Sequence, residues 1–171
     1  PGTGKTTLAR ILSNKYKSEY FSLSATSSGV QDIRKILQKG KENFDFGKRS
    51  ILFIDEIHRF SKSQQDTLLH SIEDGTIILI GATTENPNFE VISPLLSRCR
   101  VMRLYPLGLN ELSLILNRAI NTDIILGKLN ILLDSDAESL ILESSRGDAR
   151  IMLNTLELAV CLKQTKDKLI G

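Results

Sequence analysis

The chain opens on PGTGKTT, residues 1–7, and this stretch decides the fold that the sequence predicts. Its last part matches the end of the pattern G-x-x-x-x-G-K-[ST], a glycine-rich loop whose backbone amides hold phosphate oxygens at the start of a helix. The first glycine of that pattern would precede residue 1, so we expect the chain to begin inside the loop and to be part of a longer protein. The whole stretch is predicted to bind nucleotide: Pro1, Gly2, Thr3, Gly4, Lys5, Thr6 and Thr7.

The lysine and the threonine of this loop have separate expected roles. Lys5 would reach the β- and γ-phosphates, and the Thr6 hydroxyl would ligate magnesium. The residues after Gly4 favour a helix because Leu8 and Leu12 repeat at helical spacing. A Gly-Thr-Lys turn before a helix can also be an ordinary helix start, so the loop alone leaves that alternative open.

A second stretch, ILFIDE at residues 51–56, is an apolar run that ends in two carboxylates. Unbroken apolar runs, here and at residues 77–80, are typical of central parallel strands covered on both faces. Asp55 and Glu56 should then lie at the carboxyl edge of the sheet, where open α/β sheets bind ligands. We expect Asp55 in the magnesium shell and Glu56 orienting or deprotonating an attacking water. Together with the loop, the pair predicts ATP or GTP hydrolysis.

Three further residues are candidates for the same chemistry. Thr84 follows the run at residues 77–80 and could position the water, although a turn closed by Pro87 is the alternative. Arg98 could stabilise charge in the transition state or could be a surface cation. Arg150 lies near the start of the last long helix, which Asp148 is expected to cap, and could reach the γ-phosphate.

Strands and helices alternate up to a short strand expected at residues 101–104, and the sequence beyond it is helical throughout. The predicted fold class is α/β: a P-loop parallel sheet flanked by helices, with its first strand missing, followed by a small all-helical lid domain. The predicted domains are 1–106, a P-loop core that lacks its N-terminal part, and 107–171, the helical lid.

Composition limits the class of protein but not its function. Hydrophobic residues make up 41% and charged residues 25%, as in soluble globular proteins, and a net charge of +2 does not by itself indicate nucleic-acid binding. Cys99 and Cys161 are expected to be buried thiols of an intracellular protein. His58 and His70 lack partners at metal-site spacing, so both are predicted to be structural and no further metal site is assigned.

The strings ILFIDEIHRF (51–60), QQD (64–66) and GATTENP (81–87) closely resemble the replication-associated recombination protein A family. That family includes the Werner helicase-interacting ATPases and is related to clamp-loader subunits and to the Holliday-junction branch-migration motor. The resemblance implies an AAA+ ATPase. It assigns these roles: Lys5 and Thr6 to Walker A, Asp55 and Glu56 to Walker B, Thr84 to sensor 1, Arg98 to the trans-acting finger, and Arg150 to sensor 2.

The same resemblance implies cofactors, partners and a cellular role. The implied cofactors are ATP and Mg²⁺. The implied partners are DNA, at single-strand/duplex junctions, gaps and forks, and single-strand-binding protein. The family also forms a homo-oligomer, in particular a tetramer, built by a domain beyond residue 171. The protein would be cytoplasmic and nucleoid-associated in a bacterium or nuclear in a eukaryote, with no membrane partner. The predicted function is a DNA-dependent ATPase of replication-fork maintenance, repair and recombination. The alternatives are a clamp-loader subunit, a branch-migration motor and an inactive AAA+ scaffold.

Overall fold

The computed structural model describes residues 2–129 and 131–168. These residues form two compact units, which we call the sheet unit (residues 5–103) and the helical unit (residues from 104 onward, together with 2–4). Compactness alone does not define a functional domain, so 1–106 and 107–171 stay predictions.

The sheet unit contains three parallel strands in the order β1-β2-β3. The strands are β1 (Glu19–Ser24), β2 (Ser50–Asp55) and β3 (Ile78–Gly81). Three long helices connect or precede them: α1 (Lys5–Lys15), α2 (Val30–Asp45) and α3 (Lys62–Glu73). Two short helices follow β3: α4 (Pro87–Glu90) and α5 (Ser93–Leu96).

Alternation along β2 explains why helices cover both faces of the sheet. Successive side chains of a strand point to opposite faces. Leu52 and Ile54 are buried in the same cluster as residues of α2 and α3, whereas Phe53 is buried against Ala9 of α1. The predicted α/β class, a parallel sheet flanked by helices, is confirmed.

Two strand predictions need correction. Residues 101–104 have no regular secondary structure and pair with none of the three strands of the described sheet, and Met102 is 76% exposed. The run at 77–80 was predicted to be a central strand, but β3 is an edge strand of the described sheet and its Ile78 is exposed. An apolar run shows that a strand is favoured but not how many neighbours it has.

The helical unit consists of α6 (Leu109–Thr122), α7 (Ser135–Ser144) and α8 (Ala149–Lys168). Its core contains five buried side chains: Leu112, Leu116, Ile141, Met152 and Leu156. Among the helices of the described residues, none combines the length and apolar character needed to cross a bilayer.

The two cysteines differ from the prediction that both are buried. Cys99 is partly buried, and this burial raises the pKa of its thiol because the thiolate is poorly solvated there. Cys161 is exposed, so the prediction was wrong for this residue. It lies on α8, whose apolar side is broader than the part that is covered.

Candidate active site

The direction of α1 brings its first residues to the carboxyl edge of the sheet. Its last turn leads into the amino end of β1, so the helix runs antiparallel to the strands. Ala9, in the middle of α1, is fully buried against Phe53 and Ala82, which lie near the carboxyl ends of β2 and β3. Lys5 and Thr6, one turn earlier, therefore lie towards the same edge of the sheet.

The loop before α1 has the backbone that phosphate binding requires. Gly2 and Gly4 both have positive φ, 65° and 84°, a region that glycine adopts at little cost. A β-carbon on Gly4 would meet nothing within 4 Å, and the first turn of α1 carries no acidic side chain. These features fit an anion at the N-terminus of the helix. Pro1 lies outside the described residues.

Asp55 is the last residue of β2 and is partly buried. Asp55 lies two residues after Phe53 in the strand, so its side chain points to the same face of the sheet, which α1 covers. The backbone N–H of Ala25, which follows β1, donates to the Asp55 carbonyl at 3.0 Å, so β1 and β2 stay paired as far as the last residue of β2. Asp55 and Thr6 thus share a face and an edge of the sheet, as two oxygen ligands of one magnesium ion must.

Glu56 follows in a left-handed conformation, with φ 52° and ψ 46°. The next N–H, that of Ile57, donates to the carbonyl of Ala82 at 2.9 Å, which fixes the turn against the end of β3. In this arrangement the hydroxyl of Thr84 donates to Glu56 Oε2 at 3.2 Å. The structure therefore brings together Glu56 and Thr84, which lie 28 residues apart in the sequence.

His58 belongs to the same cluster, although the sequence predicts only a structural role for it. Its Nδ1 lies 3.3 Å from Glu56 Oε2 and 2.8 Å from Thr83 Oγ1, and its side chain is 8% exposed. The signal in the sequence was its position two residues after Glu56, in the short turn Ile57–Arg59.

Arg98 is not brought to this cluster. Its guanidinium forms a close ion pair with Glu73, and its Nη1 donates to the Pro94 carbonyl at 2.7 Å. Glu73 ends α3, which begins near the carboxyl edge after β2 and runs back to the amino end of β3. A helix of 12 residues is about 18 Å long. Arg98 therefore lies towards the amino ends of the strands, whereas Glu56 lies at their carboxyl ends.

Arg150 is an exposed residue in the first turn of α8, in the helical unit. Its backbone N–H donates to Asp148 Oδ1 at 2.8 Å, and that of Ile151 donates to the same oxygen at 3.2 Å. Asp148 caps α8, as expected. Its carboxylate also occupies the space that a side chain on Gly2 would need, so the start of the loop packs against the start of this helix.

Residues 1–107 match the ATPase family associated with various cellular activities, the AAA family, and the chain belongs to that family. It is 46% identical to the ATPase WRNIP1 of Dictyostelium discoideum over 94% of its length and 47% identical to the replication-associated recombination protein A of Haemophilus influenzae, again over 94%. These relatives confirm the resemblance in the sequence. The Thermotoga maritima RuvB Holliday junction branch migration motor has a similar structure, with a TM-score of 0.72 at 30% identity, covering 90% of this chain and 49% of that one.

The chain is shorter than the relatives that it matches. It covers 18% of the Dictyostelium protein and 36% of the Haemophilus protein. Membership of the AAA family implies nucleotide binding by this chain.

Proposed function

We propose that the protein hydrolyses ATP at subunit interfaces and uses the energy to remodel DNA at replication forks and during repair and recombination. The observation that carries the proposal is the pairing of Glu56 with Thr84 at the edge of the sheet where α1 begins. A carboxylate with a fixed orientation beside a helix N-terminus provides both a water activator and a phosphate site, which ATP hydrolysis needs together.

The residues of the loop and of the sheet unit have separate proposed roles at this site. The loop amides and Lys5 hold the phosphates, and Thr6 and Asp55 hold Mg²⁺. When bound there, the ion would offset the negative charge of the phosphates. Glu56 orients the attacking water or accepts its proton, and Thr84 fixes the carboxylate that does so. Glycines, a lysine, a hydroxyl and a strand-end carboxylate are a donor set that suits a magnesium nucleotide.

Arg98 and Arg150 complete the proposed site from elsewhere. Arg98 lies at the edge opposite Glu56, so it is suited to the nucleotide of a neighbouring subunit, where it would stabilise transition-state charge. Arg150, exposed at the start of α8, would contact the γ-phosphate.

The biological role is proposed from the relatives. One relative is named replication-associated recombination protein A and another the ATPase WRNIP1, which supports a role in replication and recombination. Action at gaps, forks and single-strand/duplex junctions is our more specific proposal. Single-strand-binding protein as a partner, a tetrameric assembly, and a cytoplasmic, nucleoid-associated location, or a nuclear one in a eukaryote, belong to the same proposal.

A branch-migration motor is the second candidate because the RuvB structures are similar to this chain. Such a motor should hydrolyse ATP faster on four-way junctions than on gapped duplexes, whereas our leading proposal predicts stimulation by gaps and forks. A clamp-loader subunit would instead need a sliding clamp with primed DNA, and an inactive scaffold would show no turnover under any condition.

The test is the steady-state ATPase rate of the protein at its natural length, without DNA and with duplex, gapped, forked and four-way DNA. We expect gapped or forked DNA to raise kcat several-fold above duplex. Glu56→Gln is the control: it should bind ATP but lose turnover by about a hundredfold or more, because the general base is removed. Equal rates with and without DNA would contradict the DNA-dependent role. Wild-type turnover in Glu56→Gln would contradict the assignment of the base.

A further inference from the structure

His58 is the buried polar side chain nearest to the proposed base that the roles above leave unused. Its side chain is 8% exposed, against 29% for that of Glu56, so the ring is largely shielded from solvent while the carboxylate is partly accessible. Nδ1 is the ring atom that faces both Glu56 Oε2, at 3.3 Å, and Thr83 Oγ1, at 2.8 Å.

The neighbours of Nδ1 decide which nitrogen carries hydrogen. An ionised carboxylate can only accept, so an Nδ1 lone pair facing Oε2 would be repelled, whereas an Nδ1–H would donate. The hydroxyl oxygen of Thr83 already accepts the backbone N–H of Glu85 at 3.0 Å and has a second lone pair for the ring. The Nδ1–H therefore donates to Thr83 Oγ1, which holds the ring in place, and Glu56 Oε2 lies 3.3 Å from the same nitrogen as a polar contact outside this hydrogen bond.

The donors to Glu56 are distributed unequally between its two oxygens. The Thr84 hydroxyl donates to Oε2 at 3.2 Å, and His58 Nδ1 lies 3.3 Å from the same oxygen. Within the described part of the chain, no side chain or backbone group donates to Oε1. One hydrogen bond and one polar contact on the same oxygen restrict the rotation of the carboxylate and leave the other oxygen to accept from water.

We propose that His58 is a positioning residue: its Nδ1 contact with Oε2, together with the hydrogen bond from Thr84, orients Glu56 so that Oε1 faces the attacking water. This inference rests on the proposed function, because it gives a role to the orientation of the base. A residue in this role affects the chemical step and not the affinity for ATP, since the role requires no contact with phosphate or magnesium.

The test compares two variants of similar shape in the protein at its natural length. His58→Asn keeps an N–H donor near the position of Nδ1, whereas His58→Leu has the same branching and no donor. We expect His58→Leu to lower kcat by about tenfold to a hundredfold, the range found when a supporting hydrogen bond is lost. ATP Kd should change by less than about twofold, and His58→Asn should recover a large part of kcat.

His70 provides the matched control because it is the other histidine of the chain. Its side chain is 85% exposed and lies beside Asp74, one turn later and just past the end of α3. His70→Leu and His70→Asn should leave kcat, ATP Kd and the thermal midpoint unchanged. Thr83→Val is a second variant, which removes the hydroxyl that is hydrogen-bonded to His58 but keeps the ring. It should lower kcat several-fold with ATP Kd unchanged.

Each result distinguishes this inference from the function on which it rests. A wild-type protein without ATP turnover would contradict the proposed function itself. If the wild type turns over ATP and both His58→Leu and Thr83→Val keep its kcat, the positioning role is wrong. The role is also wrong if His58→Asn and His58→Leu lose the same kcat at equal thermal midpoints, because the ring would then act by packing alone.

Discussion

At the scale of single residues, the chemistry depends on how the Glu56 carboxylate is held. The hydroxyl of Thr84 donates to its Oε2 at 3.2 Å, and Thr84 is itself exposed just after the end of β3. Because this side chain is exposed and not part of a packed core, we expect its removal to leave the stability of the protein unchanged.

Thr84→Val should therefore lower kcat while the protein stays folded. Valine has the same shape without the donor, and a hydrogen bond to a charged group contributes about 1.5–3 kcal/mol, or roughly tenfold to a hundredfold in rate. Steady-state kinetics check this, with Thr84→Ser as the control that keeps the hydroxyl and should stay within a few-fold of wild type. A Thr84→Val protein with the wild-type kcat would remove Thr84 from the site.

The sequence predicted Glu56 and Thr84 as candidates because strand ends of a parallel sheet meet at one edge. It did not predict His58 beside them. That contact depends on Glu56 adopting positive φ, which turns the chain back against the end of β3, and a glutamate in this region is uncommon. No pattern of residue types reports such a conformation in advance.

At the scale of elements, α3 is joined to the segment after β3 by one buried glutamine. Gln65 is 1% exposed, and its Nε2 donates to the carbonyls of Phe60 and Glu90 at 3.0 and 3.2 Å. Its Oε1 accepts the backbone N–H of Ile92 at 3.0 Å. A single side chain thus satisfies three backbone groups around the start of α3.

Gln65→Leu should destabilise the protein by about 2–4 kcal/mol, since it leaves those three backbone groups without a partner while keeping a similar volume. Urea unfolding measures the change as a lower midpoint. Gln38→Leu is the control, because Gln38 lies on α2 and its side chain forms an exposed hydrogen bond with Glu42, one turn later. Equal urea midpoints for the two variants would show that the hydrogen bonds of Gln65 do not stabilise the fold.

The elements themselves were predictable to different degrees. Helical spacing predicted both α1 and α6, but only the apolar stripe of α6 matches the core that it covers. The face that α1 buries contains Ala9 and Ser13, whereas Leu8 of the predicted stripe is 42% exposed. Within α2, Gly40 is a packing residue: Ile77 fills the space that a side chain would need. Residues 101–104 have strand-like composition but pair with no strand of the described sheet, and pairing cannot be read from composition.

At the scale of the whole molecule, the proposed catalytic residues do not all meet within one sheet unit. Lys5, Asp55 and Glu56 share the carboxyl edge, whereas Arg98 is paired with Glu73 at the other edge. The Glu73 partner could not be predicted from sequence, because it comes from the far end of a helix. One arginine on the opposite edge suits a head-to-tail assembly, in which each subunit completes the site of the next.

The most direct test of this account is subunit mixing between Arg98→Ala and Lys5→Ala proteins at their natural length. Each variant alone should be inactive, the first for lack of the finger and the second for lack of the phosphate lysine. In an equimolar mixture that exchanges freely, about a quarter of the sites should combine an intact Lys5 with an Arg98 from the neighbour, and ATP turnover should return to about that fraction. A mixture that stays as inactive as its components would contradict ATP hydrolysis shared between subunits, as would an Arg98→Ala protein with wild-type turnover.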